Sequence, residues 1–262
     1  MLKDITLGQY FPGNTMAHCL DPRTKIILVT LYVIALFNAS TVYGYAMMAV
    51  VLLTCVRVSK VGLKVLVRGL KPVVLIVVFT GLLNLFFTAG DPIFSWWIIS
   101  ISWQGVINAS FMVMRILLLI MGTFLMTYTT SPIRLTDGLE QLLNPLKKIK
   151  VPVHELSMMM SIALRFIPTL IEETDKIMSA QKARGADFES GNLMQKAKAM
   201  LPLLVPLFIS AFRRADELAI AMESRCYHGG DGRTKLHVLR YALRDYVALA
   251  LGVVILVAAF IL

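Results

Sequence analysis

Five apolar stretches recur along this chain, over about residues 26–39, 42–56, 72–88, 105–128 and 246–262. At roughly 20 residues per bilayer crossing they read as five membrane spans, the first two of them short. The uncharged link NASTVYGY between those two suits a tight helical hairpin. The links differ in charge. Lys3, Arg23 and Lys25 precede the first span, and Arg57, Lys60, Lys64, Arg68 and Lys71 lie between the second and third with no acid. The remaining links, NASTVYGY and the Trp-rich AGDPIFSWWIISISWQ, carry no basic residue. Cytoplasmic loops are the ones enriched in Lys and Arg, so the N-terminus is expected inside and the C-terminus, after five crossings, outside. Trp96, Trp97 and Trp103 then fit an outer aromatic belt.

Between the fourth and fifth spans the pattern changes. Residues 130–245 hold 17 Lys or Arg and 13 Asp or Glu, interleaved with apolar positions at helical spacing. Ser131 followed by Pro132 is a helix start. Leu156, Met160, Ala163, Ile167, Leu170 and Ile177 mark one face of a helix over 153–184. Ala197, Leu201, Leu204, Phe208, Ala211, Leu218 and Met222 do the same over 193–225. Each would reach about 48 Å if unbroken, and Pro168, Pro202 and Pro206 predict kinks. Their apolar cores are short and interrupted, and crossing the membrane there would place Lys176, Lys182, Arg184, Lys196 and Lys198 outside. Long amphipathic helices lodged under the membrane part are the better reading. The expected architecture is an all-α membrane protein of about five transmembrane helices, with a cytoplasmic coupling region before the last. Its parts are residues 1–129, 130–245 and 246–262.

Composition agrees with a membrane chain: 262 residues, 57% hydrophobic, 16% charged, with a mean hydropathy of +0.73. The net charge of +10 fits basic cytoplasmic loops facing anionic lipid. Nucleic acid is not an expected partner, because acids are interleaved with the bases. MLKDITLGQYFPGN lacks the pattern of a signal peptide. Cys19, Cys55 and Cys226, and the scattered His18, His154, His228 and His237, form no disulfide framework and no metal-ligand spacing.

Catalytic motifs are missing from the pattern. Gly8 to Thr15 approximates a phosphate-binding loop but has Asn14 where Lys is needed, and no strand precedes it. Arg115 lies in the fourth span, where a charge is costly and is expected to pair inside the bundle. Asn84 and Asn108 can bridge helices. Met158, Met159, Met160, Met194, Met200 and Met222 are core filler or an adaptable partner surface. Finally, Ala183-Arg184-Gly185 and Ser224-Arg225-Cys226 end the two long helices 41 residues apart. Each Arg could complement a helix C-terminus. Each could equally be a docking tip, where a small neighbour permits close approach and Arg makes a forked contact.

Three segments carry a resemblance: LGQYFPGNTMAHCLDPRTKI, ALRFIPTLIEETDKIMSAQKARGAD and ELAIAMESRCY. Together they resemble the transmembrane T components of energy-coupling factor (ECF) transporters, end to end. His18, Leu20, Asp21, Pro22, Arg23, Thr24 and Lys25 match the family's N-terminal signature. Arg184 and Arg225 match its two ATPase-docking motifs, the second reading Ser-Arg-Cys in place of Ala-Arg-Gly or Ala-Arg-Ser. The resemblance implies a non-catalytic scaffold for vitamin or micronutrient uptake. Its partners would be two cytoplasmic ABC ATPases and a membrane-embedded, substrate-binding S component. No cofactor is expected on this chain; ATP and Mg would sit on the ATPases. A conventional ABC importer permease is the alternative, disfavoured by two Arg-tipped helices in place of one coupling element. A membrane-embedded enzyme would show acids or paired His and Asp within the spans.

Overall fold

The computed structural model describes residues 10–88, 92–96, 99–186, 188, 192–229 and 238–261. They fall into two compact units, one within Gly8–Leu142 and Leu239–Leu262, the other within Leu143–Val238.

The first unit is helical apart from one hairpin. Its elements are α1 (Met16–Cys19), α2 (Pro22–Asn38), α3 (Val42–Ser59), α4 (Leu63–Leu70), α5 (Val74–Phe87), β1 (Pro92–Trp96), β2 (Ile99–Ser102), α6 (Trp103–Thr129), α7 (Pro132–Leu143) and α10 (Leu243–Ile261). Among the described residues, α3, α6 and α10 are long and apolar enough to cross a membrane. A fourth crossing is available if α4 and α5 are one span bent by 66°. At 17 residues, α2 lies at the short end of what can cross a bilayer.

The bend has a local cause. Pro72 has no N–H to donate to Arg68 O. The bonds on either side tighten to Lys71 N–H with Arg68 O at 3.2 Å and Val73 N–H with Leu70 O at 2.8 Å, so the helix turns there. The basic link expected between the second and third spans therefore contains a helix of its own, α4. Leu66 and Leu70 are its buried side. The loop expected between the third and fourth spans contains the antiparallel pair β1–β2, with Trp96 opposite Ile99. Trp103 opens α6 and is exposed, whereas Trp97 lies outside the described residues.

Small residues set the helix crossings. A side chain at Gly122 would come within 2.6 Å of the Tyr32 ring, and one at Gly252 within 2.5 Å of Leu28. Close backbone approach of this kind drives helix association where lipid removes the hydrophobic gain. Ala35, Leu36, Met48, Leu52, Leu66, Leu118 and Tyr128 form the core. The outer faces of α5 and α10 stay apolar and exposed, as with Leu75, Phe79, Leu251 and Val254. Such faces suit lipid rather than water.

The second unit consists mainly of two helices of 31 residues, α8 (Val153–Ala183) and α9 (Leu193–Glu223), as the periodicity predicts. A 3-10 turn, Asn144–Ile149, leads in. Asn192 and Gln195 form a capping box at the start of α9. Pro168 lies inside α8, and Pro202 and Pro206 inside α9.

Candidate docking tips and the amino-terminal clasp

Both long helices end in the same backbone construction. After α8, Gly185 N–H donates to Lys182 O at 3.0 Å and Ala186 N–H to Gln181 O at 3.0 Å, with Gly185 left-handed at φ +89°. After α9, Cys226 N–H donates to Glu223 O at 2.9 Å and Tyr227 N–H to Met222 O at 3.1 Å, with Cys226 left-handed at φ +55°. Both bonds of the first terminus have their counterpart 41 residues later, as does that from Arg184 N–H to Gln181 O at 3.1 Å in Arg225 N–H to Met222 O at 3.1 Å. This is the Schellman type of helix end, in which a left-handed residue lets later N–H groups reach back to carbonyls the helix would leave open. Arg184 and Arg225 immediately precede the left-handed residue, and both are exposed. Ala183 and Ser224 flank them, and Ser224 Oγ bonds back to Ile220 O. Cys226 thus takes the backbone role of Gly185, at a steric cost glycine avoids.

Within the first unit, the signature residues form a clasp. Asp21 caps α2: its carboxylate accepts from Arg23 N–H at 2.9 Å and from the Arg23 guanidinium at 3.0 and 2.8 Å. Pro22 takes the first helical position, where its missing N–H costs nothing. Burial pushes the Asp21 carboxyl up, but the Arg23 hydrogen bonds and charge outweigh it and leave it below its ordinary value. The guanidinium lies 3.9 Å over the Tyr241 ring. Asp21 N–H donates to Asp245 Oδ1, and Ala242 N–H to Asp245 Oδ2, both at 2.8 Å. Asp245, nearly fully buried, caps α10 with one oxygen and ties it to the start of α2 with the other.

Lys25 closes the other side. Its ammonium donates to Thr129 O at 2.9 Å and Thr130 Oγ1 at 3.1 Å, at the C-terminus of α6, where a cation complements the helix dipole. His18 bridges Thr15 Oγ1 at 2.6 Å and Phe11 O at 3.0 Å. Its ring fills the space beside Gly13, so the stretch resembling a phosphate loop is packed on a histidine; Gly8 lies outside the described residues. Deeper in the unit, Arg115 donates to Tyr45 Oη at 2.9 Å and to Ala39 O at 3.2 Å, the open carbonyl end of α2. Asp245 was not singled out from the sequence. An acid at the third position of the last helix, able to reach back to its cap, was the signal.

Comparison with known proteins gives the family. The family model described as CbiQ, cobalt transport protein, matches residues 13–236. A protein of Clostridium kluyveri is 56% identical over 250 residues, covering 95% of this chain and 93% of its own. One of Acidaminococcus fermentans is 50% identical over 262 residues, covering 100% and 96%. One of Bacillus subtilis is 50% identical over 246 residues, covering 94% and 93%. All three are named energy-coupling factor transporter transmembrane protein EcfT. Apolar helices in such number, with relatives so named, define a multi-pass membrane subunit of a transporter. The chain belongs to the CbiQ/EcfT family, the transmembrane components of ECF transporters.

Proposed function

We propose that this chain is the non-catalytic scaffold of an ECF-type importer, and that its two helix ends dock two cytoplasmic ABC ATPases. The observation that carries the reading is the duplicated terminus: one backbone construction, used twice, presents Arg184 and Arg225 in the same way. A lone C-terminal Arg is explained by the helix dipole. A shared left-handed stop behind both is what two like sockets would require. Arg offers a forked, charge-assisted contact, and Ala183 and Ser224 are small enough to permit close approach. ATP hydrolysis on the partners would displace α8 and α9, and these would reorient a membrane-embedded S component that carries the vitamin or micronutrient. The N-terminus lies inside and the C-terminus outside on this reading, as the basic links require.

The test is co-purification of the tagged chain from its native membrane in mild detergent, with an ATPase assay, for wild type and for Arg184→Ala with Arg225→Ala. Two ATPases and a small hydrophobic protein are expected with wild type, and the ATPases are lost from the double variant. Each Arg→Ala change should weaken docking by about 2–5 kcal/mol, the scale of truncating a hydrogen-bonded charge pair. Unchanged ATPase recovery with both arginines gone would overturn the docking role.

A further inference from the structure

The equivalence of the two helix ends extends to the place where the helices touch. Glu173 on α8 accepts from Arg214 Nη2 at 3.0 Å and from Ser210 Oγ, both on α9. Arg184 lies eleven positions after Glu173, and Arg225 eleven after Arg214. The contact therefore joins equivalent positions of the two helices, with the same 41-residue offset as the tips. Further along, Gln181 Nε2 donates to Pro202 O at 3.4 Å. Moving forward on α8 means moving backward on α9, so the helices run antiparallel past each other. At this contact and at the two tips, the antiparallel helices therefore have the arrangement of a local two-fold axis.

The prolines respect this division. Pro168 precedes Glu173, and Pro202 and Pro206 precede Ser210 and Arg214. Residues 174–183 and 215–223 contain neither Pro nor Gly. Each arm from the contact to its tip is thus uninterrupted helix of about 16 Å.

We infer that Glu173 and Arg214 are positioning residues: their ion pair is the pivot, on a local two-fold axis, that makes displacement of one tip equal to displacement of the other. The partner this surface fits is a pair of like subunits related by a matching two-fold. A rotation of about 10° at the pivot carries each tip about 3 Å, in opposite senses, over arms of that length. Without the pair, the Gln181–Pro202 bond would remain, and less of the work done on one tip would reach the other. The inference rests on the docking reading above, because it assigns the tips their load.

The experiment uses the assembled transporter. Glu173→Arg and Arg214→Glu are made singly and together, and co-purified ATPase, ATP turnover and substrate uptake are measured for each. Both single variants should retain the ATPases, since Arg184 and Arg225 are untouched. Uptake per ATP hydrolysed should fall about fivefold or more, the lower end of typical coupling between sites. The double exchange restores opposite charge at the contact and should recover most of that ratio. A second readout needs no partner. Spin labels at positions 182 and 223, on a background of Cys19→Ser, Cys55→Ser and Cys226→Gly, should give one narrow distance distribution. Glu173→Arg should broaden it, and the double exchange should narrow it again. An unchanged uptake ratio in the single variants, or a double variant as impaired as either single, would overturn the pivot. Wild-type chain that recruits no ATPases would instead refute the docking reading, while the label distances would still decide whether the pair holds the arms together.

Discussion

Replacing Asp245 by Ala removes one carboxylate that receives two backbone donors from different parts of the chain. Asp21 N–H and Ala242 N–H each lie 2.8 Å from it, and Asp21 and Asp245 are 6% and 1% exposed. With the acceptor gone, the Asp21 N–H is left buried and unpaired, at about 1–3 kcal/mol. Ala242 is half-buried and can recover water, so its loss is nearer about 1 kcal/mol. The sum, about 2–4 kcal/mol, corresponds to a fall in Tm on the order of 10 °C for a chain of this size. The measurement is thermal unfolding of the detergent-solubilised protein. Asp245→Asn should show most of the same fall, because an amide offers one acceptor and turns its N–H₂ toward the other donor. Exposed Val247→Ala, two residues on, should stay within about 0.5 kcal/mol of wild type. A Tm for Asp245→Ala within about 1 °C of wild type would show that the clasp does not hold α10 to α2, since the predicted shift is several times larger.

Other consequences can be checked as directly. Cys226→Gly relieves a left-handed side chain and should stabilise the second tip by up to about 1 kcal/mol, read as slower hydrogen exchange at the Tyr227 amide. Gly138→Val should destabilise by about 1–3 kcal/mol in thermal unfolding, because a Cβ there would sit 2.9 Å from Pro22 Cβ and 3.3 Å from Arg23 N. The Asp21 carboxyl is held below its ordinary value, so its stabilisation is present above the unfolded carboxylate range, near about 3.9. It is lost as pH falls through the lower folded value. Stability measured against pH should therefore show a decline at acid pH that is smaller in Asp21→Asn.

Much of this organisation was legible in the sequence because it depends on periodicity. The starts of α7, α8 and α9 fall where caps and apolar spacing put them, and α3, α6 and α10 lie within a few residues of their apolar stretches. The third apolar stretch, expected over about residues 72–88, is α5 at Val74–Phe87, but the bend that precedes it was not legible. Hydropathy sums a window and does not register that Pro72, at its edge, breaks the chain direction while α4 adds an apolar side beforehand. The signature residues 21–25 stood out as a pattern, yet their purpose was hidden. Asp21 and Lys25 act on Asp245 and Thr129, more than 100 residues away in the chain, and no local rule reports such pairs. The pivot was hidden for the same reason: Glu173 and Arg214 look like ordinary charges on amphipathic helices until the helices are laid together.

The duplicated tips raise a question of specificity that their shared backbone cannot answer. Arg184 and Arg225 emerge from equivalent helix ends, so the forked contact they offer is the same. The positions two residues before them differ: Lys182 in the first tip, Glu223 in the second. The position two after is Ala186 in one and Tyr227 in the other. Opposite charge at equivalent places makes the tips complementary to different socket rims. Rim charge governs encounter and rejection of the wrong partner more than final affinity. On the docking reading, the arginines supply the common grip, and residues 182 and 223 decide which of two similar subunits each tip receives. Exchanging them, Lys182→Glu with Glu223→Lys, should leave the total ATPase bound nearly constant and change which subunit crosslinks to which tip. Unaltered crosslinks would mean that partner choice is made elsewhere on α8 and α9.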